Sequence, residues 1–355
     1  MNWRIGDDTY PVRTIDDLKV IESRDLSTNE KDALDLLRIW LTGDTPAFFS
    51  SGTTGDQKVV NLSRDLIKWS IKNTTTITGK EHMVLVLIPC TRVGGAMQIL
   101  RAFENENTIR VMDPSSSPLD KIPNDHDYTL TSLVPFQIYH IMEDQYQFDK
   151  FLRFDCVLIG GEPIIHIREN ELLEMVGDNG PDLVHTYGMT ETASHIATRR
   201  LGEVGYSPFS GVNPLVDEEG HLEIQIPGLG LRLKTSDEVN IENNGRFTLK
   251  GRNSFTVNSA GRKIRIEELE HRIHAIIGDR SPHPYALWKE PDEQLGERLI
   301  LMVEEQFHFP ADHLEKELTR FDHPKRIYEV KKILRNASGK VDRQSTYASI
   351  SQNQK

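Results

Sequence analysis

Met83-Val84-Leu85-Val86-Leu87-Ile88, followed by Gly94-Gly95 and a helical run from Ala96 to Glu104, sets the fold class. An unbroken apolar run of this length reads as a strand buried on both faces, the kind that helix-covered parallel sheets contain. The unit recurs. Tyr128 to Val134 reads as a strand, and Pro135 then opens a helical pattern to Asp144. Asp155 to Ile159 is a strand ending in Gly160-Gly161, and Leu183 to Thr186 is another ending at Tyr187-Gly188. This strand–turn–helix alternation predicts an α/β fold with a mostly parallel, helix-covered sheet. In such sheets ligands bind at the carboxyl ends of the strands, where this sequence places Gly, Thr, Tyr and Glu residues.

Outside that region the pattern changes. Residues 1 to 46 read as polar and irregular, with one amphipathic stretch near Lys31 to Leu41. After about residue 205, His221 to Ile226 alternates like a half-exposed strand and stops at Pro227-Gly228. Short strands follow around Leu231 to Leu233 and Phe247 to Lys250. Beyond Gly251-Arg252 a small α+β region is predicted: a helix from about Glu267 to Ile277, a strand Leu299 to Glu304, and a helix near His313 to Arg320. The expected organisation is a large domain over residues 1–251 and a small C-terminal domain over 252–355, joined near Gly251 to Ser254. A chain of 355 residues fits two domains at roughly 150 residues each.

Composition narrows the function classes. Lys and Arg total 42 against 54 Asp and Glu, a net charge of −12, which disfavours a nucleic-acid partner. An anionic cofactor then needs local positive charge. The basic clusters are Arg262-Lys263-Ile264-Arg265 and Lys331-Lys332-Ile333-Leu334-Arg335, either of which alone reads first as a solvated face. No apolar run approaches the ~20 residues of a membrane helix, and the first residues have no apolar signal core. The two cysteines, Cys90 and Cys156, sit in or beside apolar runs and read as core residues of a cytoplasmic protein.

Five motifs carry chemistry. Ser50-Ser51-Gly52-Thr53-Thr54-Gly55-Asp56-Gln57-Lys58 combines glycines that free backbone N–H groups, hydroxyl donors and a lysine, which suits a phosphate chain. A flexible surface loop has the same composition. A Walker loop needs four residues between its glycines and a hydroxyl residue after the lysine; here two residues separate Gly52 from Gly55, and Val59 follows Lys58. His185-Thr186-Tyr187-Gly188-Met189-Thr190-Glu191-Thr192 leaves a strand with a tyrosine able to stack on a purine and a carboxylate able to hold magnesium. Thr235-Ser236-Asp237 offers an aspartate for ribose hydroxyls, or is an exposed turn. Gly251-Arg252 precedes Gly261 and Glu267-Glu268-Leu269-Glu270. Arg335-Asn336-Ala337-Ser338-Gly339-Lys340 puts a lysine on a glycine-containing loop near the C-terminus.

In this order and spacing, from about Phe48 to Arg343, the set resembles the adenylate-forming superfamily of acyl-CoA ligases, luciferases and peptide-synthetase adenylation domains. Thr186-Tyr187-Gly188-Met189-Thr190-Glu191-Thr192-Ala193-Ser194-His195-Ile196 looks most like the o-succinylbenzoate–CoA ligases of menaquinone synthesis. The resemblance implies a reaction of a carboxylic acid with ATP to an acyl-adenylate and pyrophosphate, then transfer of the acyl group to coenzyme A, with Mg2+ as the metal; another aryl or fatty acid as substrate, or loading of a carrier protein, are the alternatives. It implies that Ser50, Ser51, Gly52, Thr53, Thr54, Gly55 and Lys58 hold the ATP phosphates, with Thr54 and Glu191 near the metal. Gly160, Gly161 and Glu162 would border the adenine and acyl pocket, Tyr187 would stack near adenine, and Thr190 would touch the α-phosphate. Asp237 and Arg252 would bind the ribose. Gly261 would line the thiol tunnel, and Lys340 would contact the carboxylate and α-phosphate. Arg92, Gly188, Ser194 and His195 are expected to face the acyl group, with Arg92 equally able to cap a helix.

The sequence departs from the superfamily pattern in four places. Ser254 stands at a hinge position that is commonly Asp or Lys, and Ala260 replaces a frequent glycine. Pro89-Cys90-Thr91-Arg92-Val93-Gly94-Gly95 lacks the aromatic or histidine that often closes the acyl pocket. The phosphate loop comes early, so much of the usual N-terminal subdomain is expected to be missing.

Overall fold

The computed structural model describes residues 1–51, 57–164, 166–252, 255–260, 262–277, 284–310, 314, 317–319, 322–335 and 341–352. The chain opens with β1 (Asn2–Ile5), β2 (Asp8–Pro11), α1 (Ile15–Glu22) and α2 (Thr28–Leu41). The hairpin β3 (Ala47–Ser51) and β4 (Gln57–Asn61) leads through α3 (Arg64–Thr78) to β5 (Met83–Val86), α4 (Val93–Glu104) and β6 (Thr108–Val111). Then come β7 (Leu130–Leu133), α5 (Pro135–Glu143), α6 (Gln145–Phe151), β8 (Cys156–Ile159), α7 (His166–Val176) and β9 (Asp182–Met189). A 3-10 turn, Thr190–Thr192, reverses the chain into β10 (Ser194–Arg200) and β11 (Ser207–Pro208).

These strands form a nine-stranded sheet in the order β11-β10-β9-β8-β7-β5-β6-β1-β2. The six inner strands from β9 to β1 pair in parallel, and β2, β10 and β11 run antiparallel at the edges. The apolar run Met83–Ile88 shows why. Val84 and Val86 point into the core shared with α1 to α4, while Leu85 and Leu87 point into the core shared with α5 to α7. All four are buried, so polar residues have no place in the run. Truncating Leu85 to alanine would cost ~2–5 kcal/mol.

Several sequence expectations change. Residues 1 to 46 are ordered: β1 lies parallel to β6, and Trp3 and Trp40 are among the most deeply buried side chains. The two helices start at capping boxes, Thr14 with Asp17 and Ser27 with Glu30, which satisfy N–H groups that the helix leaves unpaired. The strand expected to stop at Thr186 continues to Met189, because β10 folds back on it with His195 opposite Gly188. Helix α4 begins at Val93 and so includes the glycine pair; a Cβ at Gly95 would lie 2.2 Å from the Pro89 carbonyl oxygen.

A second, antiparallel sheet follows, in the order β12 (Asn213–Val216), β13 (His221–Ile226), β14 (Leu231–Ile241) and β15 (Phe247–Arg252). The strand β13 is not half-exposed. It is an inner strand, and even His221 and Glu223 are buried, Glu223 under a pair with Arg232 at 2.8 Å. The short strand foreseen at Leu231 to Leu233 runs eleven residues to Ile241, which places Asp237 within a strand rather than on a turn.

The last sheet comprises β16 (Thr256–Ser259), β17 (Arg262–Arg265), β18 (Tyr285–Asp292), β19 (Gly296–Glu304) and β20 (Arg326–Val330), with α8 (Ile266–Ile277) and α9 (Arg343–Gln352) packed on it. It has its own apolar clusters, around Ile273, Leu287 and Leu301 on one side and around Ile300, Met302 and Ile350 on the other. Of the expected helix near His313 to Arg320, residues 313, 315, 316 and 320 lie outside the described residues. An ion pair from Arg265 of β17 to Glu238 of β14 ties this sheet to the preceding one. Among the described residues no helix is long and apolar enough to cross a membrane.

Candidate active site

The hairpin β3–β4 pairs Phe49 with Val59 and Ser50 with Lys58. The turn carrying Gly52, Thr53, Thr54 and Gly55 lies outside the described residues, as do the side chains of Ser50 and Ser51; Lys58 is exposed on β4. The hairpin packs against the Thr190–Thr192 turn, so the phosphate motif and the Thr-Glu-Thr motif meet although more than a hundred residues separate them. The turn is tightly made. Thr192 Oγ1 accepts from the Met189 N–H at 3.0 Å and donates to the Ser194 carbonyl at 2.7 Å. Ala193 and Ser194 both take positive φ, 51° and 85°, a conformation that costs a side chain energy and persists only where the surroundings impose it. Ser70 imposes it in part, donating to the Ala193 carbonyl at 2.7 Å. Gly188 is needed here, since a Cβ would lie 2.1 Å from the Ser194 oxygen. The half-exposed Glu191 carboxylate has no partner among the described residues. A free carboxylate in a half-exposed position suits a hard divalent cation.

Tyr187, near the carboxyl end of β9, is packed edge-on against Phe247 and close to Tyr206. Its hydroxyl donates to Asp237 Oδ2 at 2.5 Å, and Asp237 stands opposite Arg252 across β14 and β15. The Tyr187 and Asp237 motifs, fifty residues apart, are therefore one unit. Gly160 and Gly161 end β8. A Cβ at Gly160 would sit 2.4 Å from Thr186 Oγ1, and Gly161 has φ +95°. The next residue, Glu162, is held from behind: its carbonyl lies 3.1 Å from His185 Nε2, which must donate, so Nδ1 accepts from the Tyr206 hydroxyl at 2.9 Å. Burial lowers the His185 pKa to about 4, helped by the charge of Arg199.

Lys340, Gly261 and Ser254 lie outside the described residues, as does the Arg252 side chain. The flanks of residues 336–340 are described. Arg335 and Val341 form an antiparallel bridge, and the Arg335 guanidinium stacks 4.2 Å over the Phe136 ring at the start of α5. Arg335 also feels the charge of Glu162. The stem of the Lys340 loop thus stands over the carboxyl ends of β7 and β8.

Arg92 is the N-cap residue of α4 and reaches the Phe49 carbonyl at 3.4 Å, tying the helix to the β3–β4 hairpin. Asn29 of α2 fixes the loop before it: its amide donates to the Ile88 and Met112 carbonyls at 3.2 and 2.8 Å and accepts from the Cys90 N–H at 2.7 Å. From Arg92, α4 runs back along the sheet. Between α3, α4 and strands β5, β7 and β8 lies a small cavity of about 20 Å³, room for a single water-sized group. His195 does not line it. It is buried beside it, with Nε2 3.0 Å from Thr74 Oγ1 and Nδ1 3.2 Å from Ser194 Oγ, and burial together with the Arg101 charge holds it well below the usual histidine pKa. The polar groups that do line the cavity include Gln98 and Arg101, neither singled out from sequence. Arg101 donates through Nε to the Met97 carbonyl at 3.0 Å, but its Nη1 is buried without a partner, and both amide atoms of Gln98 are too. Burial alone lowers the Arg101 pKa to about 10; no carboxylate raises it. No motif marks them; the structure buries α4 from Gly95 to Ala102, and a Gln and an Arg there then require an explanation.

A family model described as AMP-binding enzyme matches residues 6–255. The chain belongs to this family. The chain is 24% identical over 363 residues to the 2-succinylbenzoate–CoA ligase of Lactococcus lactis, covering 91% of this chain and 78% of the relative. Among solved structures, it is similar to an AMP-forming acyl-CoA synthetase/AMP-acid ligase II-like protein from Dyadobacter fermentans, with TM-score 0.60, 26% identity and 95% and 99% of the two chains covered. It also matches the o-succinylbenzoate CoA synthetase of Bacillus subtilis in complex with its acyl-adenylate, with TM-score 0.68, 19% identity and 83% and 67% covered. The chain is an adenylate-forming enzyme with the α/β fold of that superfamily.

Proposed function

We propose that this protein is an AMP-forming acid–CoA ligase whose acid is o-succinylbenzoate, serving menaquinone biosynthesis. The carrying observation is Arg101: a buried guanidinium with an unpartnered Nη1, no carboxylate lowering its cost, and a small void of about 20 Å³ beside it. A buried cation of this kind is stable in the complex if the ligand brings the anion, and an aromatic acid with a second carboxylate does so. Plain benzoate or a fatty acid would leave the charge bare. The enzyme names of relatives such as the Lactococcus lactis protein support the same substrate.

A carboxylate is a poor electrophile, and joining it to AMP supplies a good leaving group. Most of the catalysis is then positioning and charge neutralisation. Lys58 and the loop before it hold the phosphates, Thr190 contacts the α-phosphate, and Glu191 holds Mg2+, which neutralises phosphate charge when bound. Tyr187 and Asp237 form the nucleoside wall with Arg252, and the Gly160–Glu162 segment borders adenine. Arg92, Gly188 and Ser194 line the entrance to the acyl side, with His195 behind them. Residues 252–355 act as a mobile small domain that brings Lys340 to the carboxylate for the first half-reaction and the Gly261 loop to the thiol channel for the second. The buried thiols of Cys90 and Cys156, the latter pushed up to about 12 by burial, suit the reducing cytoplasm. The test is AMP release with ATP, Mg2+, CoA and a panel of acids. Turnover should be highest with o-succinylbenzoate; a clear preference for benzoate, an arylacetate or a medium-chain fatty acid would overturn the substrate assignment.

A further inference from the structure

We propose that Tyr206 is a positioning residue for nucleotide binding: acting through His185, it fixes the Glu162 carbonyl and with it the Gly160–Glu162 segment that borders adenine. The proposal rests on that reading of the segment and adds what holds it in place. The ladder between β8 and β9 ends with Ile159 opposite His185, and the Gly160 N–H still donates to the Leu133 carbonyl at 3.1 Å. Past that point Gly161 turns with positive φ, and Pro163 has no N–H to give. The Glu162 carbonyl ties this segment to β9, through His185 Nε2 at 3.1 Å.

Chemistry sets the direction of every bond behind that carbonyl. A carbonyl only accepts, so Nε2 carries the proton. A neutral imidazole has one N–H, so Nδ1 needs a donor, which the Tyr206 hydroxyl supplies at 2.9 Å. The hydroxyl faces the Arg199 guanidinium, which only donates. Arg199 is paired with Glu169 of α7 through both terminal nitrogens, at 2.6 and 2.7 Å, and the Gly202 N–H bonds the same carboxylate at 2.9 Å. Donors thus run one way, from the ion pair through Tyr206 and His185 to the carbonyl, and each polarises the next. His185, Tyr206 and Glu169 are all buried, so a missing member leaves a bare polar atom. Tyr206 itself is firmly set. Its backbone bonds that of Phe247 in both directions, at 2.7 and 3.0 Å, and its ring stacks on the Phe247 ring. Because Glu169 lies on the helix that follows the segment, the network holds the segment from both ends.

The experiment measures binding of ATP and of tripolyphosphate, which has the phosphates without adenosine, with Mg2+ by calorimetry. It uses the wild type, Tyr206→Phe, His185→Gln and the double variant. Phenylalanine keeps the stack on Phe247 and removes only the hydroxyl. Tyr206→Phe should raise the Kd for ATP by roughly 5-fold or more and leave that for tripolyphosphate unchanged. Added to His185→Gln it should do nothing, because a glutamine amide donates to the Glu162 carbonyl without a partner behind it. A tyrosine that merely supports the fold would lower Tm and weaken both ligands, or weaken ATP by the same factor in either background; each result overturns the proposal. Gly161→Ala, strained at φ +95°, reports on the segment itself. If it weakens ATP while Tyr206→Phe does not, the relay falls and the adenine reading stands. If neither changes ATP binding, the adenine reading falls and the proposal with it.

Discussion

Arg101→Met should move stability and activity in opposite directions. The folded protein holds this guanidinium at a pKa of about 10 against an ordinary 12.5, with burial as the cause. At 1.36 kcal/mol per unit, its charged form carries a penalty on the order of 3 kcal/mol in the unliganded protein. Methionine fills similar space without the charge. It forfeits one hydrogen bond to the Met97 carbonyl, worth about 1 kcal/mol. The unliganded variant should therefore be more stable by ~1–2 kcal/mol, read as a higher Tm or a higher denaturant midpoint. Binding moves the other way. Removing one member of a buried charge pair costs 2–5 kcal/mol, so kcat/KM for o-succinylbenzoate, followed by pyrophosphate release, should fall by roughly 30- to several-thousand-fold. A mono-acid that lacks the distal carboxylate should lose nothing and could gain. A variant that melts lower and loses all acids in parallel would show that Arg101 holds α4 in place rather than a substrate.

Three further outcomes are expected. Glu191→Gln keeps size but removes the charge a hard cation prefers, so pyrophosphate release should fall by orders of magnitude at unchanged Tm; near-normal release would exclude a metal-holding role. Lys340→Ala should lose adenylate formation by roughly 10²–10³-fold yet still convert supplied acyl-adenylate and CoA to thioester, and equal loss of both half-reactions would rule out alternation of the small domain. Because burial lowers the His185 pKa from 6.5 to about 4, the neutral form is favoured by folding. That stability is present above pH 6.5 and lost as pH falls from there toward 4, up to about 3 kcal/mol. His185→Gln should flatten this part of the stability profile; an unchanged slope would place the acid sensitivity elsewhere.

The central sheet was legible because its strands are buried on both sides and admit almost only apolar residues, as the run from Met83 to Ile88 shows. The N-terminal strands were not. The strand β1 has four residues, with Trp3 buried between polar neighbours, and its place beside β6 depends on a pairing that local pattern does not encode. The full length of β14 was missed for a related reason, since its alternating exposed positions carry Arg232, Lys234 and Ser236, which resemble a loop in composition. The motifs around the β3–β4 hairpin and the Thr190–Thr192 turn stand out in the sequence because such turns need glycine and hydroxyl residues. Gln98 and Arg101 belong to no motif, and they stand out only once α4 is known to be covered on nearly every side. Asn29 was invisible for the opposite reason: its three anchors come from Ile88, Cys90 and Met112, far along the chain, and only the fold brings them together.

The proposed mechanism requires acyl-adenylate formation as a separate step. The most direct measurement is to incubate the enzyme with o-succinylbenzoate, ATP and Mg2+ without CoA, quench, and identify the products by mass, then add CoA to a parallel sample. The expected result is o-succinylbenzoyl-adenylate and pyrophosphate before CoA is added, and AMP with the CoA thioester after it. Release of ADP and phosphate, or no reaction of the acid until CoA is present, would contradict it.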